Sequence, residues 1–207
     1  MRRIRSITYP LSALILAGGQ SRRMGHDKAL LRLPGSEQTL IERTIDLAKT
    51  VTDTIFISTN APLRYSWLTY PSVTDEADAQ GPLAGIAAGL RGSPAPCVLV
   101  LACDLPLLQP AVVQFLVEQM QPQDDAVVPR HADGGCEPLC AVYHVRALPT
   151  IMAHIQRRQF AVRRMLADIA THWVDDDDLR QIDPQLRSFR NANTPDEWQA
   201  LFSDDLT

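Results

Sequence analysis

Two adjacent glycines, Gly18 and Gly19, close an apolar run over residues 13–17, and Ser21, Arg22, Arg23, Gly25 and Lys28 follow within the next nine residues. Glycine lets the backbone adopt positive φ and lets a ligand lie against bare N–H groups. Hydroxyl and cationic side chains beside such a turn suit a polyphosphate. The turn is not a Walker A loop. Five residues separate Gly19 from Gly25, where that motif has four between its glycines, and Ala29 rather than Ser or Thr follows Lys28. Nor is it G-x-G-x-x-G, so a dinucleotide-binding role has little support.

Carboxylates form the second set of reactive groups. Asp75 ends a short polar-apolar stretch, and Asp104 lies in Cys103-Asp104-Leu105-Pro106 after a strongly apolar run. A carboxylate at a strand end beside a phosphate-binding turn suits Mg²⁺, which takes one or two protein carboxylates and fills its shell with water and phosphate oxygens. Taken alone, both aspartates also fit plain turn or capping roles. Near the end, Asn191-Ala192-Asn193-Thr194-Pro195 offers two amides before a helix start, or simply a capping turn. Cys136, Cys140 and His144 are spaced by four, but Pro138 interrupts a helix there and residues 139–143 read as a strand, so a zinc site is disfavoured. Cys97 and Cys103 sit in apolar surroundings and read as small core residues.

Holding these groups requires a frame. Apolar runs at 13–17, 53–58, 96–102, 125–129 and 138–142, with a shorter one at 72–75, read as strands. Thr39 caps a helix whose apolar residues Leu40, Ile41, Thr44, Ile45 and Ala48 recur at helical spacing. Gly81-Pro82-Leu83-Ala84-Gly85 opens another, with Gly85 and Gly89 allowing close packing on a sheet, and Pro110 opens a third. Residues 146–167 give one or two helices broken near Arg158, and residues 196–202 a closing helix capped by Thr194. Strands alternating with helices imply an α/β three-layer, Rossmann-like sandwich with a mostly parallel, partly mixed central sheet and right-handed crossovers. The strand at 138–142 is expected at the far side of the sheet. Residues 172–174 and 188–190 are expected as a small hairpin-like flank, and the acidic run 175–178 as a solvated turn.

Composition sets the bounds. At 207 residues one domain is the default, able to bury roughly 70% of the unfolded surface. Apolar content of 45% and charged content of 21% are ordinary for a soluble globular chain. The net charge of −4 argues against a general nucleic-acid binder. No run approaches the ~18 apolar residues of a membrane span. The basic start followed by an apolar core imitates a signal peptide, yet cleavage there would remove the glycine turn. Residues 1–11 are therefore read as a basic tail, and a cytoplasmic address is expected.

Leu16-Ala17-Gly18-Gly19-Gln20-Ser21-Arg22-Arg23-Met24-Gly25-His26-Asp27-Lys28, then Gly81-Pro82-Leu83-Ala84-Gly85, then Cys103-Asp104-Leu105-Pro106, then the closing Asn191-Ala192-Asn193-Thr194-Pro195, together resemble the molybdenum cofactor guanylyltransferases. The resemblance runs over residues 14–197. It implies a nucleotidyltransferase of the nucleotide-diphospho-sugar transferase type that moves GMP from GTP to the terminal phosphate of Mo-molybdopterin with Mg²⁺. It implies backbone contacts to the nucleotide from Leu16, Ala17, Gly18 and Gly19, with Arg23 and Lys28 on the triphosphate. Asp75 would meet the nucleotide, Asp104 would hold the metal, and Asn191 and Asn193 would lie near the acceptor. Arg23, Lys28 and Asp104 would be catalytic. The base would be met by Ser58 or Asn60. Residues of about 12–105 would form a nucleotide-binding half and about 106–203 an acceptor-binding half. Glu137-Pro138-Leu139 stands where many members have Gln-Pro-Leu, and the family's later arginines have no clean match, with Arg163 or Arg164 as stand-ins. Partner proteins that deliver the cofactor or mature molybdoenzymes are also implied. Cytidylyl transfer to the same cofactor, a sugar-phosphate nucleotidyltransferase and a GTP-binding adaptor are the alternatives.

Overall fold

Successive strand residues point to opposite faces of a sheet, and here both faces are apolar, which requires helices above and below. In the computed structural model, which describes residues 9–17, 27–74, 81–191 and 195–203, the first strand β1 (Leu11–Leu16) shows the result. Ala13 and Ile15 join one core, and Leu14 joins the other. The same alternation sorts Leu99 and Leu101 from Val98 and Val100 in β4 (Cys97–Ala102).

The seven-stranded sheet runs in the order β3-β2-β1-β4-β6-β5-β7. The remaining strands are β2 (Ile55–Ser58), β3 (Ser72–Val73), β5 (Ala126–Arg130), β6 (Cys140–His144) and β7 (Thr171–Asp175). Only β6 runs against its neighbours β4 and β5; every other pairing in the sheet is parallel. Helices α1 (Leu40–Lys49) and α3 (Pro110–Glu118) cover one face, and α2 (Pro82–Gly92), α4 (Leu148–Gln156) and α5 (Val162–Leu166) the other. The three-layer α/β sandwich with a mostly parallel sheet is as expected.

Local signals act where they were read. Thr39 accepts from the Glu42 amide while Glu42 returns to the Thr39 amide, a full capping box that starts α1. Arg158 takes a positive φ of 55° between α4 and α5, which breaks that helical stretch. Pro82 occupies the first turn of α2.

Three expectations change. The strand near residues 138–142 is not at the far side. As β6 it inserts between β4 and β5. It pairs with β4 on one edge and β5 on the other, and with helices over both faces Cys140, Ala141, Val142 and Tyr143 are all buried. The edge goes instead to β7, whose Thr171, His172 and Trp173 are half-buried. The expected hairpin-like flank is absent from the described residues, since β7 pairs in parallel with β5 and Arg187–Phe189 is a single 3-10 turn. The acidic run is solvated at Asp175, Asp177 and Asp178, as expected, but it is a strand end and a short helix, not a turn. Asp175 ends β7 and forms a two-pronged pair with Arg130 at 2.8 and 3.0 Å, and Asp176 opens the short helix α6 (Asp176–Leu179) with its carboxylate turned inward.

Gly89 shows how tightly α2 sits on β1. A Cβ there would stand 2.3 Å from Leu14 Cδ2, and Leu14 is itself fully buried. Gly89→Val is therefore expected to lower stability by about 1–3 kcal/mol, the usual cost of overpacking. Urea denaturation of the purified variant measures this; an unchanged midpoint would show that the layer can separate freely.

Candidate active site

Chain order reverses at β1. From β1 the chain builds outward through β2 and β3, then returns to lay β4 on β1's other side. Such a switch point leaves a crevice beyond the carboxyl ends of the strands, where ligands of open α/β sheets bind. The register pairs Leu16 with Ala102, so the chain leaves the two strands side by side. The glycine turn follows one exit and Asp104 follows the other.

The loop carrying Asp104 is held from a distance. Arg43 on α1 donates from Nε to the Pro106 carbonyl at 2.8 Å and from Nη2 to the Leu108 carbonyl at 3.0 Å. Before Asp104, Cys103 is buried, and burial pushes its thiol up to about 12, so it serves as packing and not as a nucleophile. Cys97 is likewise buried, its thiol pushed up to about 11.

Asp104 and Lys28 share one electrostatic environment. Burial raises the Asp104 carboxyl above its ordinary value; the charge of Lys28 offsets part of that rise and Glu137 adds to it. Burial lowers the Lys28 ammonium, while Asp104 and then Glu197 pull it back up. Lys28 opens a 3-10 turn, Lys28–Leu30, whose start is capped by the Asp27 side chain. Glu197 lies on the closing helix α7 (Pro195–Ser203), which packs Trp198 against the core. Four segments distant in sequence thus set one local field.

Glu137 reaches this field through β6. Antiparallel pairing of Leu101 with Cys140 continues in the bond from the Ala102 amide to the Leu139 carbonyl, 2.8 Å, so the entry to β6 lies beside the exit from β4. On Glu137's other side stands His131, with Nε2 3.4 Å from Glu137 Oε1 and Nδ1 2.8 Å from Asp176 Oδ1. Asp176 also accepts from the Ala132 amide at 3.0 Å. Phe189 meets the His131 ring edge-on at 5.3 Å. This cluster ties together the exits of β5 and β7 and the entry of β6.

Among the other expected site residues, Leu16 and Ala17 stand at the end of β1, and the Ala17 amide donates to the Ser58 carbonyl at 2.9 Å. Ser58 is buried, whereas Asn60 is exposed two residues past the end of β2. Asn191 is exposed two residues beyond Phe189. Arg163 donates to the Gly134 carbonyl in the polar loop before β6, and Arg164 is exposed. Gly18, Gly19, Arg23, Asp75, Asn193 and the cap Thr194 lie outside the described residues. No group of three or more His, Cys, Asp or Glu suited to a metal occurs among the described residues. No helix among them is long and apolar enough to cross a membrane.

Reading the sequence missed the partners of the named groups: Arg43, Glu197, His131 and Asp176. Glu137 was noticed only as a departure from a motif. None carries a local signal, because each matters through a neighbour brought in by the fold.

His131 has a measurable consequence. Its imidazole is raised to about 9 from 6.5, first by the hydrogen bond with Glu137 and also by Asp176, against the opposing effect of burial. A base raised on folding contributes stability that is complete below pH 6.5 and lost as pH climbs through about 9. Thermal melts should therefore show His131→Gln costing more at pH 6 than at pH 9.5. An equal cost at both would show that the charge is not part of the cluster.

Comparison with known proteins agrees with this geometry. Residues 13–175 match the family model of the MobA-like NTP transferase domain. A molybdenum cofactor guanylyltransferase of Desulfosudis oleivorans is 37% identical over 188 residues, covering 90% of this chain and 92% of that protein. A probable molybdenum cofactor guanylyltransferase of Synechococcus elongatus is 38% identical over 200 residues, covering 92% and 97%. Among solved structures, molybdopterin-guanine dinucleotide biosynthesis protein A from Archaeoglobus fulgidus superposes with a TM-score of 0.81 at 27% identity, covering 94% of this chain and 98% of that one.

Proposed function

The chain belongs to the MobA-like NTP transferase family, and from that premise we propose how its residues carry out guanylyl transfer. The reaction is that of a molybdenum cofactor guanylyltransferase. A terminal phosphate oxygen of Mo-molybdopterin attacks the α-phosphorus of GTP, the bond to the β-phosphate oxygen breaks, and pyrophosphate leaves. The guanine dinucleotide form of the cofactor remains.

The observation that carries the assignment of roles is the opposed pair Lys28 and Asp104 at the switch point, each partly withdrawn from water. A phosphate monoester is already largely ionised near neutral pH, so the site needs alignment and charge cancellation more than a general base. Lys28 and Arg23 neutralise the departing pyrophosphate. Backbone from Leu16 to Gly19 supports the nucleotide, with Asp75 beside it. Of Ser58 and Asn60, the exposed Asn60 is the one able to meet the base. Asn191 and Asn193 face the acceptor. Residues of about 12–105 serve the nucleotide and about 106–203 the acceptor.

The same proposal includes a divalent metal, and we assign Mg²⁺. The donors fit: one carboxylate, Asp104, whose ionised form is disfavoured by burial and by Glu137, is the group a cation would relieve. A single protein carboxylate with water and phosphate oxygens is the usual magnesium shell. When bound, the ion would neutralise charge on the α-phosphate. The expected cytoplasmic address, and partner proteins that deliver the cofactor or receive the product, belong to the same proposal.

Purified protein with Mg²⁺, Mo-molybdopterin and labelled GTP, CTP, ATP or UTP tests the reading: of the four nucleotides only GTP should give pyrophosphate and dinucleotide. Lys28→Ala and Asp104→Asn should each cost about 10²–10³-fold in turnover, the scale of removing one preorganised charge-stabilising group. Asp104→Asn should also melt at a temperature no lower than wild type, because it removes a carboxylate that folding disfavours. Full turnover by Asp104→Asn, or equal use of all four nucleotides, would overturn the assignment.

A further inference from the structure

Tyr65 lies in the 3-10 turn Pro62–Tyr65, and it is buried. Its hydroxyl stands 3.0 Å from the Ala17 carbonyl and 2.6 Å from Asp27 Oδ2. Ala17 is where the chain leaves β1 for the glycine turn, and Asp27 is where that stretch ends, one residue before Lys28. One buried phenol therefore joins the two flanks of the segment over residues 18–26. Burial and the neighbouring Asp27 hold the hydroxyl well above its ordinary pKa, so it stays protonated and able to donate.

Asp27 is held through both oxygens. Oδ1 accepts from the Ala29 amide at 3.1 Å, and Oδ2 accepts from Arg64 Nη1 at 2.9 Å as well as facing Tyr65. Its carboxylate is only 10% exposed. Both oxygens accept hydrogen bonds from within the protein. The same carboxylate caps the turn that begins with Lys28, so whatever fixes Asp27 fixes the base of the Lys28 side chain. Ala17 is anchored on its other side by the bond of its amide to Ser58.

We propose that Tyr65, acting through Asp27, is a positioning residue for nucleotide binding: its hydroxyl clasps Ala17 to Asp27 and so sets Lys28 against the triphosphate. The inference rests on the reading of Lys28 given above. Tyr65 touches no substrate. It fixes Ala17 and Asp27, and with Asp27 the start of the Lys28 turn, before a nucleotide arrives, so less ordering at Lys28 is left for binding to supply.

The test is a cycle of four full-length proteins: wild type, Tyr65→Phe, Lys28→Ala and the double variant. Each is titrated with Mg·GTP by calorimetry and assayed for the KM of GTP and of the acceptor. Tyr65→Phe keeps the ring in the core and loses only the hydroxyl. It should weaken GTP about tenfold, the scale of one buried hydrogen bond to a charged group, and leave the acceptor KM within twofold. In the Lys28→Ala background the same change should have less than a twofold effect. Should Tyr65→Phe fail to fold, Asp27→Asn carries the same cycle, since it keeps an acceptor for the Ala29 amide but loses the charge. Unaltered GTP affinity in the single variant overturns the proposal, and so does an equal loss in both backgrounds. A wild-type chain that binds no GTP overturns the functional reading itself.

Discussion

The pairing of β1 with β4 is the constraint on which everything else depends. Six consecutive partners, from Leu11 with Cys97 to Leu16 with Ala102, run in parallel through the middle of the sheet. Parallel pairing sends both chain exits to one edge, and the order of the sheet makes that edge a crevice. A slip of one residue would turn Leu14 and Ile15 to the wrong cores and carry the two exits out of step. The position of Asp104 relative to Ala17 is set first by hydrogen bonds between apolar strands, and then by Arg43 holding the loop that carries it.

Around that edge, charge is placed against the grain of burial. Asp104 is partly withdrawn from water, which disfavours its ionised form, and Lys28 loses part of its own preference for charge. A fold optimised for stability alone would carry a neutral residue at position 104. Retaining a carboxylate there is sensible when a cation and three linked phosphoryl groups complete the field. His131 is the contrasting case. Two carboxylates flank it, its charge is favoured, and it fastens three loops instead of awaiting a ligand.

Much of this was legible in the residues. Thr39 with Glu42, Pro82, and the break at Arg158 act over a few positions, and local chemistry is written locally. The alternation of strands and helices announced the three layers, and the strand ends before Lys28 and Asp104 do lie side by side, while Gly18 and Gly19 lie outside the described residues. Strand order was not legible. Nothing in Cys140–His144 marks it as an inner antiparallel strand except a run of buried side chains, and burial is a property of the neighbours it acquires. Asp176 was misread for the same reason: an aspartate in an acidic run reads as solvated until His131 is folded against it. Tyr65 gave no signal at all, being one of three aromatic residues, with Trp67 and Tyr70, in a stretch without periodicity.

The order of the strands also bears on how the chain is made. As it emerges, β1, β2 and β3 can assemble at once, but Leu11 must wait for Cys97 before the other rim of β1 is covered. Until then a row of apolar residues presents unpaired amides and carbonyls, the kind of rim that recruits strangers. β6 then has to enter between β4 and β5, closing two ladders together. Distant partners of this sort make assembly slow and leave nascent intermediates sticky. The central pairing that creates the crevice is thus also the step at which a growing chain is most open to aggregation.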